Sequence, residues 1–151
     1  LVVGGQENNL AHRQRVDGFR DEAASRFPDL ELLPTENCGD DQKLAHDIVC
    51  RALREHPDLG GVYISVNGQI GACEALTEMN AAGRVRLICH DLIPANIENV
   101  RRGVIDFLID QDAHMQGNRP TELLLDYLLC GDKPESDRIL AHIDIRNRYN
   151  V

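Results

Sequence analysis

Short apolar runs alternate with longer amphipathic segments along this chain of 151 residues, with a period of roughly 25 to 30 residues that suits successive βα units. The runs at residues 62–66 and 85–90 are apolar almost throughout, which is typical of strands buried on both faces of a sheet. The segments between such runs carry apolar residues at helical spacing, as at residues 44–53. This alternation predicts an α/β fold, with a parallel sheet between two layers of helices.

The same pattern gives approximate positions for the individual elements. We expect strands at residues 1–5, 30–34, 62–66, 85–90, 104–109 and 139–145. Helices are expected before Pro28, from about Asp40 to His56, from Asn67-Gly68 to Gly83, at 97–102 and at 123–129. Pro120 falls in or near the first half of the last helix, which we expect to start late or to bend there. No linker divides the chain, so we predict one domain.

The charge of the chain excludes one large class of partner. Asp and Glu outnumber Lys and Arg by 25 to 16, which gives a formal net charge of -9. A chain with this excess of negative charge repels a phosphate backbone, so we expect no direct contact with nucleic acid. No apolar stretch reaches the roughly 18 residues of a membrane helix, so we expect no membrane partner. Because residues 1–5 read as a strand already under way, we expect the chain to be cut from a longer polypeptide.

Motifs for catalysis and for cofactors are missing from the sequence. The five cysteines are far apart and form no C-x-x-C pair, and the six histidines show no spacing typical of zinc ligands. Neither Gly4-Gly5 nor Gly68-x-x-Gly71 matches a nucleotide-binding loop, and there is no G-x-S-x-G sequence. We therefore predict no catalytic residue, no metal and no cofactor. An odd number of cysteines in apolar company suggests reduced thiols, from which we expect a cytoplasmic location.

Polar residues at the ends of the predicted strands are the candidate binding groups. Asp91 directly follows one apolar strand and Gln111 follows the next, while Arg15 lies near the start of the first helix. Open parallel sheets bind ligands at the carboxyl ends of their strands. A carboxylate accepts two hydroxyl hydrogen bonds, an amide donates and accepts, and a guanidinium donates to ring oxygens. This combination predicts a site for a sugar or polyol.

The order of these residues resembles a known family. Arg15-x-x-Gly18-Phe19, Asp91, Ile109-Asp110-Gln111 and Gln116-Gly117 are similar to the effector-binding domain of lactose- and galactose-repressor (LacI-type) regulators and to periplasmic ribose-type binding proteins. The resemblance implies that Arg15, Asp91 and Gln111 contact the sugar. It implies a fourth contact at Asn67, or at Ser65 if the alignment runs through Gly71. His90 stands where the family commonly has glycine.

The resemblance also implies an architecture and a function. The fold is expected to be of the periplasmic-binding-protein-like I type, present in part and mainly as the C-terminal lobe. That lobe would span about 1–93, with a crossover and elements of the other lobe at about 94–132 and a closing strand at about 137–146. As an effector-binding domain, residues 1–151 would bind a sugar or polyol between two lobes and control a helix-turn-helix domain absent from this chain. DNA would be contacted only through that domain, by a homodimer.

Two other functions are compatible with the same residues. A periplasmic sugar-binding protein that serves a transporter would use the same pocket, and a signal peptide upstream would distinguish it from a regulator. A sugar-modifying α/β enzyme would need Asp91 and Asp110 as acid and base. No second catalytic group accompanies them in the sequence, so the expectation is that the protein is not an enzyme.

Overall fold

The structure is a computed structural model that describes residues 1–6 and 8–151. Strands and helices alternate through most of it, as the sequence predicts. The strands are β1 (Val2–Gly4), β2 (Glu36–Asn37), β3 (Gly61–Ile64), β4 (Arg86–His90), β5 (Phe107–Asp110) and β6 (Asp144–Arg146). The helices are α1 (Leu10–Arg26), α2 (Gln42–Glu55), α3 (Gln69–Glu78), α4 (Pro94–Arg101) and α5 (Ala113–Cys130).

The six strands form one sheet in the order β2-β1-β3-β4-β5-β6. The first five strands in this order are parallel to their neighbours, and only β6 runs antiparallel, against β5. The order reverses at β1, since β2 lies on one side of it and β3 on the other. This confirms the predicted α/β class and brings the carboxyl ends of β3, β4 and β5 together at one rim of the sheet.

Helices cover both faces of the sheet. Successive residues of a strand point to opposite faces, so Val62 and Ile64 share one face of β3 and Tyr63 points to the other. The first face packs against α2, α3 and α4 in a single apolar core that includes Ile48, Leu76 and Val100. The second face is covered by α1. Three layers result, and they agree with the predicted fold.

Helices α2 and α3 pack with almost no space between them. The N–H of Gly71 donates to Oε1 of Gln42 at 3.0 Å. A Cβ atom at Gly71 would lie 1.8 Å from the carbonyl oxygen of Gln42, so only glycine allows this approach. The start of α2 is fixed as well, because the Asp41 carboxylate accepts from the N–H of Leu44 at 2.7 Å.

Three predicted elements differ from the observed ones. The strand expected at 30–34 is absent and β2 comes later, because Pro34 has no N–H for a ladder and Leu33 packs against the core instead. Helix α5 is longer than predicted and runs through the exposed Pro120. The last strand is limited to Asp144–Arg146, and Ile139 and Ile143 of the alternating pattern before it are exposed.

The proposed division into lobe, crossover and closing strand stays a prediction. Strands on both sides of residue 93 belong to the same sheet, since β5 and β6 continue it beyond β4. Within the described ranges, no helix combines the length and the apolar character needed to cross a membrane.

Candidate functional site

The three side chains predicted to share a site are joined by hydrogen bonds at the rim of the sheet. Arg15 donates from Nη2 to Oε1 of Gln111 at 2.9 Å. Gln111 in turn donates from Nε2 to Oδ1 of Asp91 at 2.8 Å. These residues come from α1, from the end of β5 and from the end of β4. The structure thus brings together three side chains, although Arg15 and Gln111 are 96 residues apart in the sequence.

Arg15 is held at the rim by the backbone as well as by Gln111. Its Nη1 donates to the carbonyl oxygen of Ser65, at the end of β3, at 2.7 Å. Arg15, Phe19 and Ala23 recur at four-residue spacing and therefore share the face of α1 that meets the sheet. Because the guanidinium is planar and both of its Nη atoms are engaged, its direction is fixed before any ligand arrives.

Asp91 has an unusual backbone conformation. Its φ is 74°, in the left-handed region that residues other than glycine rarely adopt. Such a conformation costs about 1 kcal/mol and persists where the surroundings enforce it. The residue is exposed, and no donor in residues 1–6 or 8–151 contacts its Oδ2. The turn therefore presents one carboxylate oxygen to solvent beside Arg15 and Gln111.

Two buried amides hold the Asp91 turn in place. Asn96 is fully buried, and its Nδ2 lies 2.9 Å from the carbonyl oxygen of Asp91 and 3.2 Å from that of His90. The Nε2 of Gln69 donates to the same His90 carbonyl at 3.3 Å. Neither residue is predicted as part of the site, because nothing in the sequence marks Gln69, or Asn96 just before the helix predicted at 97–102, as buried.

An aromatic layer lies directly below the rim. Tyr63 and His90 are buried and joined by a hydrogen bond of 2.8 Å between Oη and Nε2. The ring of Phe19 lies 5.0 Å from that of Tyr63, centre to centre. His90 was predicted either to narrow the pocket or to fill space, and its role stays a prediction. Its contact with Tyr63 shows how it is packed.

Burial sets the ionisation of this pair. It raises the pKa of Tyr63 to about 12, an effect that the positive charge of Arg15 opposes. It lowers the pKa of His90 to about 4, and here Arg15 acts in the same direction. Both side chains are therefore neutral at pH 7, and the layer below the rim carries no charge.

Asn67 and Ser65 occupy different environments. The side chain of Asn67 is not joined by a hydrogen bond to the other three predicted residues in the part of the chain that the structure describes, and the residue is exposed. Its N–H donates to Oδ1 of Asp40 at 3.1 Å. Ser65 is buried, and its hydroxyl donates to the Val3 carbonyl at 3.2 Å. Which of the two supplies a fourth contact stays a prediction.

The rim offers the chemistry that a polyol requires. A carboxylate with a free oxygen accepts hydroxyl hydrogens, and a guanidinium donates to hydroxyl and ring oxygens. Next to the rim, an apolar groove of about 660 Å³ runs along α1 and includes Phe19, Tyr63 and Ile109. Apolar surface beside fixed polar groups is the general composition of small-molecule sites.

Comparisons with known proteins agree with this chemistry. A family model described as "Periplasmic binding protein domain" matches residues 1–133. The xylose/arabinose-binding protein XylF of Sulfolobus acidocaldarius is 26% identical over 121 residues, which are 76% of this chain and 29% of that protein.

Solved structures show the same fold. One is an ABC transporter periplasmic solute binding protein from Actinobacillus succinogenes with bound D-allose, at a TM-score of 0.89 and 21% identity. Another is AraP, an arabinose binding protein from Geobacillus stearothermophilus, at a TM-score of 0.82 and 23% identity. The match covers 99% of this chain in both cases, but only 51% and 53% of the other chains. This chain thus spans about half the length of these structures and less of the curated relative.

These findings correct one expectation from the sequence and leave others unconfirmed. The cytoplasmic location is wrong, because the matching family model describes a periplasmic binding protein domain and a solved relative is an ABC transporter periplasmic solute binding protein. Four of the five cysteines are buried, and a buried free thiol packs as a small apolar side chain in any compartment, so these cysteines do not indicate a cytoplasmic location. The LacI-type assignment is not confirmed, and neither are a DNA partner and a homodimer, since the relatives described here are solute-binding proteins.

Proposed function

Because the chain belongs to the periplasmic binding protein domain family, we propose that it forms part of a solute-binding protein that captures a monosaccharide outside the cytoplasm. The observation that carries this proposal is the hydrogen-bonded series of Arg15, Gln111 and Asp91 at one rim. Three elements supply the three groups, and their polar atoms already face one another. A sugar that binds here meets groups that need little reorganisation, which lowers the entropic cost of binding.

Each group has a distinct task in the proposed complex. Asp91 accepts from one or two sugar hydroxyls, using the carboxylate oxygen that no described residue contacts. Arg15 donates to a ring or hydroxyl oxygen, and Gln111 exchanges its bond with one neighbour for a bond with the sugar. Asn67 is proposed as the fourth contact, with its exposed side chain reaching the ligand.

The choice of a monosaccharide follows from the size of the polar cluster and from the relatives. The names of the relatives refer to xylose, arabinose and allose, and three or four polar side chains suit a single pentose or hexose. Because the chain spans about half of the solved relatives, we propose that the rim is one wall of a cleft. The second wall would come from another part of the same protein, and α5 with its exposed leucines would belong to that side.

The proposed function is binding without chemical change. Asp91 and Asp110 would have to act as acid and base in an enzyme, but Asp110 is 3.6 Å from Nε of Arg146 and its Oδ1 accepts from the N–H of Asp112 at 3.2 Å. A carboxylate engaged in this way with the neighbouring strand and with its own turn is not free to transfer protons to a ligand at the rim. Family membership also favours a binding protein.

The test is ligand binding by the full-length protein. Its melting temperature is measured with D-xylose, L-arabinose, D-ribose, D-allose and D-galactose, since a ligand that binds the folded state raises it. A sugar that raises it is then titrated calorimetrically into wild type and Asp91→Asn. We expect the variant to lose roughly 100-fold or more in affinity, because a buried sugar hydroxyl loses its charged acceptor.

The control is Asp29→Asn, because Asp29 is also exposed but follows the far end of α1. It should bind the sugar as wild type does. A panel in which no monosaccharide changes the melting temperature would contradict the proposed ligand. Equal affinity in Asp91→Asn and wild type would remove Asp91 from the site.

A further inference from the structure

A second cluster of polar side chains lies between α2 and α3, away from the rim. His46 and Cys50 are one helical turn apart on α2 and therefore share a face. Glu78 reaches them from the last turn of α3. The Nε2 of His46 lies 3.0 Å from Oε2 of Glu78 and 3.7 Å from Sγ of Cys50. All three ligand atoms lie within 4.8 Å of one another.

These distances fit the edges of a metal coordination polyhedron. Zinc binds nitrogen and carboxylate oxygen at about 2.0–2.2 Å and sulfur at about 2.3 Å, so two ligand atoms of a tetrahedral site are about 3.3–3.7 Å apart. The distances from Nε2 of His46 to Oε2 of Glu78 and to Sγ of Cys50, 3.0 Å and 3.7 Å, lie close to this range. Glu78 has an exposed side chain that can adjust its carboxylate by rotation. One ligand position would remain open to water on the solvent side.

The imidazole is oriented by a further carboxylate. Nδ1 of His46 lies 3.2 Å from Oδ1 of Asp47, and the other oxygen of Asp47 accepts from Lys43 at 2.9 Å. Metal-binding histidines commonly donate the N–H of their second nitrogen to a carboxylate, which directs the lone pair of the first nitrogen at the metal. In the tautomer that carries its proton on Nδ1, His46 has the same arrangement and its Nε2 can bind a metal.

Close packing of α2 against α3 fixes the backbone on both sides of the cluster. The approach of Gly71 to Gln42 fixes α3 against α2 one turn before His46. Cys50 is buried with its sulfur toward His46, so its position is set by the core rather than by solvent. Packing therefore sets the position of the Cys50 sulfur, while the exposed side chain of Glu78 can rotate toward it.

From this geometry we propose that His46, Cys50 and Glu78 form a site for a thiophilic divalent cation such as Zn²⁺, which links α2 to α3. A thiolate together with an imidazole favours zinc over magnesium or calcium. On binding, the thiol of Cys50 gives its proton to solvent and the sulfur bonds to the metal, with no change of oxidation state. The site would lie on the face of the sheet opposite α1, so its occupancy is separate from sugar binding at the rim.

The test uses Co²⁺ as a spectroscopic probe in protein that carries Cys130→Ser, because Cys130 is an exposed thiol outside the cluster. We expect one equivalent of Co²⁺ to produce a near-ultraviolet charge-transfer band that arises from a cobalt–thiolate bond, and Zn²⁺ to abolish it by displacement. In the same background, Cys50→Ala should lose the band. Glu78→Gln should weaken Co²⁺ binding at least tenfold.

Glu74→Gln is the matched control, since Glu74 is exposed one turn earlier on α3. It should leave the band and the affinity unchanged. Glu78→Gln is isosteric and exposed, so it reports on the site even if Cys50→Ala fails to fold. No charge-transfer band in the starting protein, a band that persists in Cys50→Ala, or wild-type affinity in Glu78→Gln would each overturn the proposal.

Discussion

Oη of Tyr63 and Nε2 of His90 are hydrogen-bonded at 2.8 Å in the interior, directly below the rim where Arg15 lies. The second ring nitrogen of His90, Nδ1, is buried and has no hydrogen-bond partner in the described residues. A protonated imidazole needs acceptors at both nitrogens, and this site supplies at most one. The arrangement therefore tolerates only the neutral ring.

The stability of the fold should consequently fall in mild acid. The pKa of His90 is lowered to about 4 in the folded protein, while an unfolded histidine titrates near 6.5. The contribution of His90 is complete above about pH 6.5 and is lost as the pH falls toward 4, by up to about 3 kcal/mol. Urea unfolding of wild type and His90→Gln between pH 7 and pH 4 measures the difference.

His114→Gln is the control for this effect, since His114 is exposed on α5. Carboxylates that titrate in the same range affect all three proteins equally and cancel in the comparison. If wild type and His90→Gln lose stability in parallel, the buried histidine does not set the acid sensitivity.

Replacing Arg15 by lysine should weaken sugar binding roughly tenfold, because an ammonium group cannot donate in two fixed directions as the guanidinium does to Ser65 and Gln111. Arg13→Lys is the matched control on the same helix, since Arg13 is exposed. Calorimetric titration of the full-length protein with its sugar gives both affinities. Identical losses in the two variants would show that the two directed hydrogen bonds of Arg15 do not account for the change in affinity.

Asn96→Ala should affect both stability and binding. The substitution removes the donor to the Asp91 carbonyl and leaves that group unpaired near the core, which costs about 2 kcal/mol. The Asp91 turn should also lose its fixed conformation, so sugar affinity falls although Asn96 itself does not touch the ligand. Thermal unfolding and calorimetry separate the two effects. Asn99→Ala, one turn later on α4, should leave the affinity unchanged.

Gly71→Ala should destabilise the protein by about 3 kcal/mol, because the new methyl group would collide with the Gln42 backbone and force α2 and α3 apart. Gly117→Ala is the comparison, since a Cβ there meets nothing within 4 Å. It should be neutral or stabilising by about 0.5 kcal/mol. Chemical denaturation measures both. Equal stability of the two variants would mean that the helices adjust without cost.

The strands and the rim residues were predictable from sequence because they depend on local signals. Buried strands are continuous apolar runs, and a polar residue such as Asp91 or Gln111 directly after such a run lies at the carboxyl end of the sheet. Arg15 follows no strand; it was a candidate because a guanidinium near the start of the first helix can donate to ring oxygens, and the resemblance then implied that it contacts the sugar. The structure places these three predicted residues in one hydrogen-bonded series.

What was missed depends on contacts between distant parts of the chain. The burial of Asn96 follows from the neighbouring turn of β4, and the closeness of His46 to Glu78 follows from how α2 packs on α3. Neither is visible as a spacing in the sequence. The strand expected at 30–34 is absent for a related reason, since Leu33 packs against the core without pairing in the sheet.

The pairing of Asp110 with Asp144 means that the chain leaves the sheet toward α5 and returns to it at the same place. Residues 113–141 are thus connected to the sheet through the adjacent strands β5 and β6. A force applied to this segment reaches the sheet where Asp110 and Asp144 pair. That point adjoins Gln111, whose side chain connects Arg15 to Asp91. A force on α5 would therefore act first on Gln111, which is hydrogen-bonded to both Arg15 and Asp91.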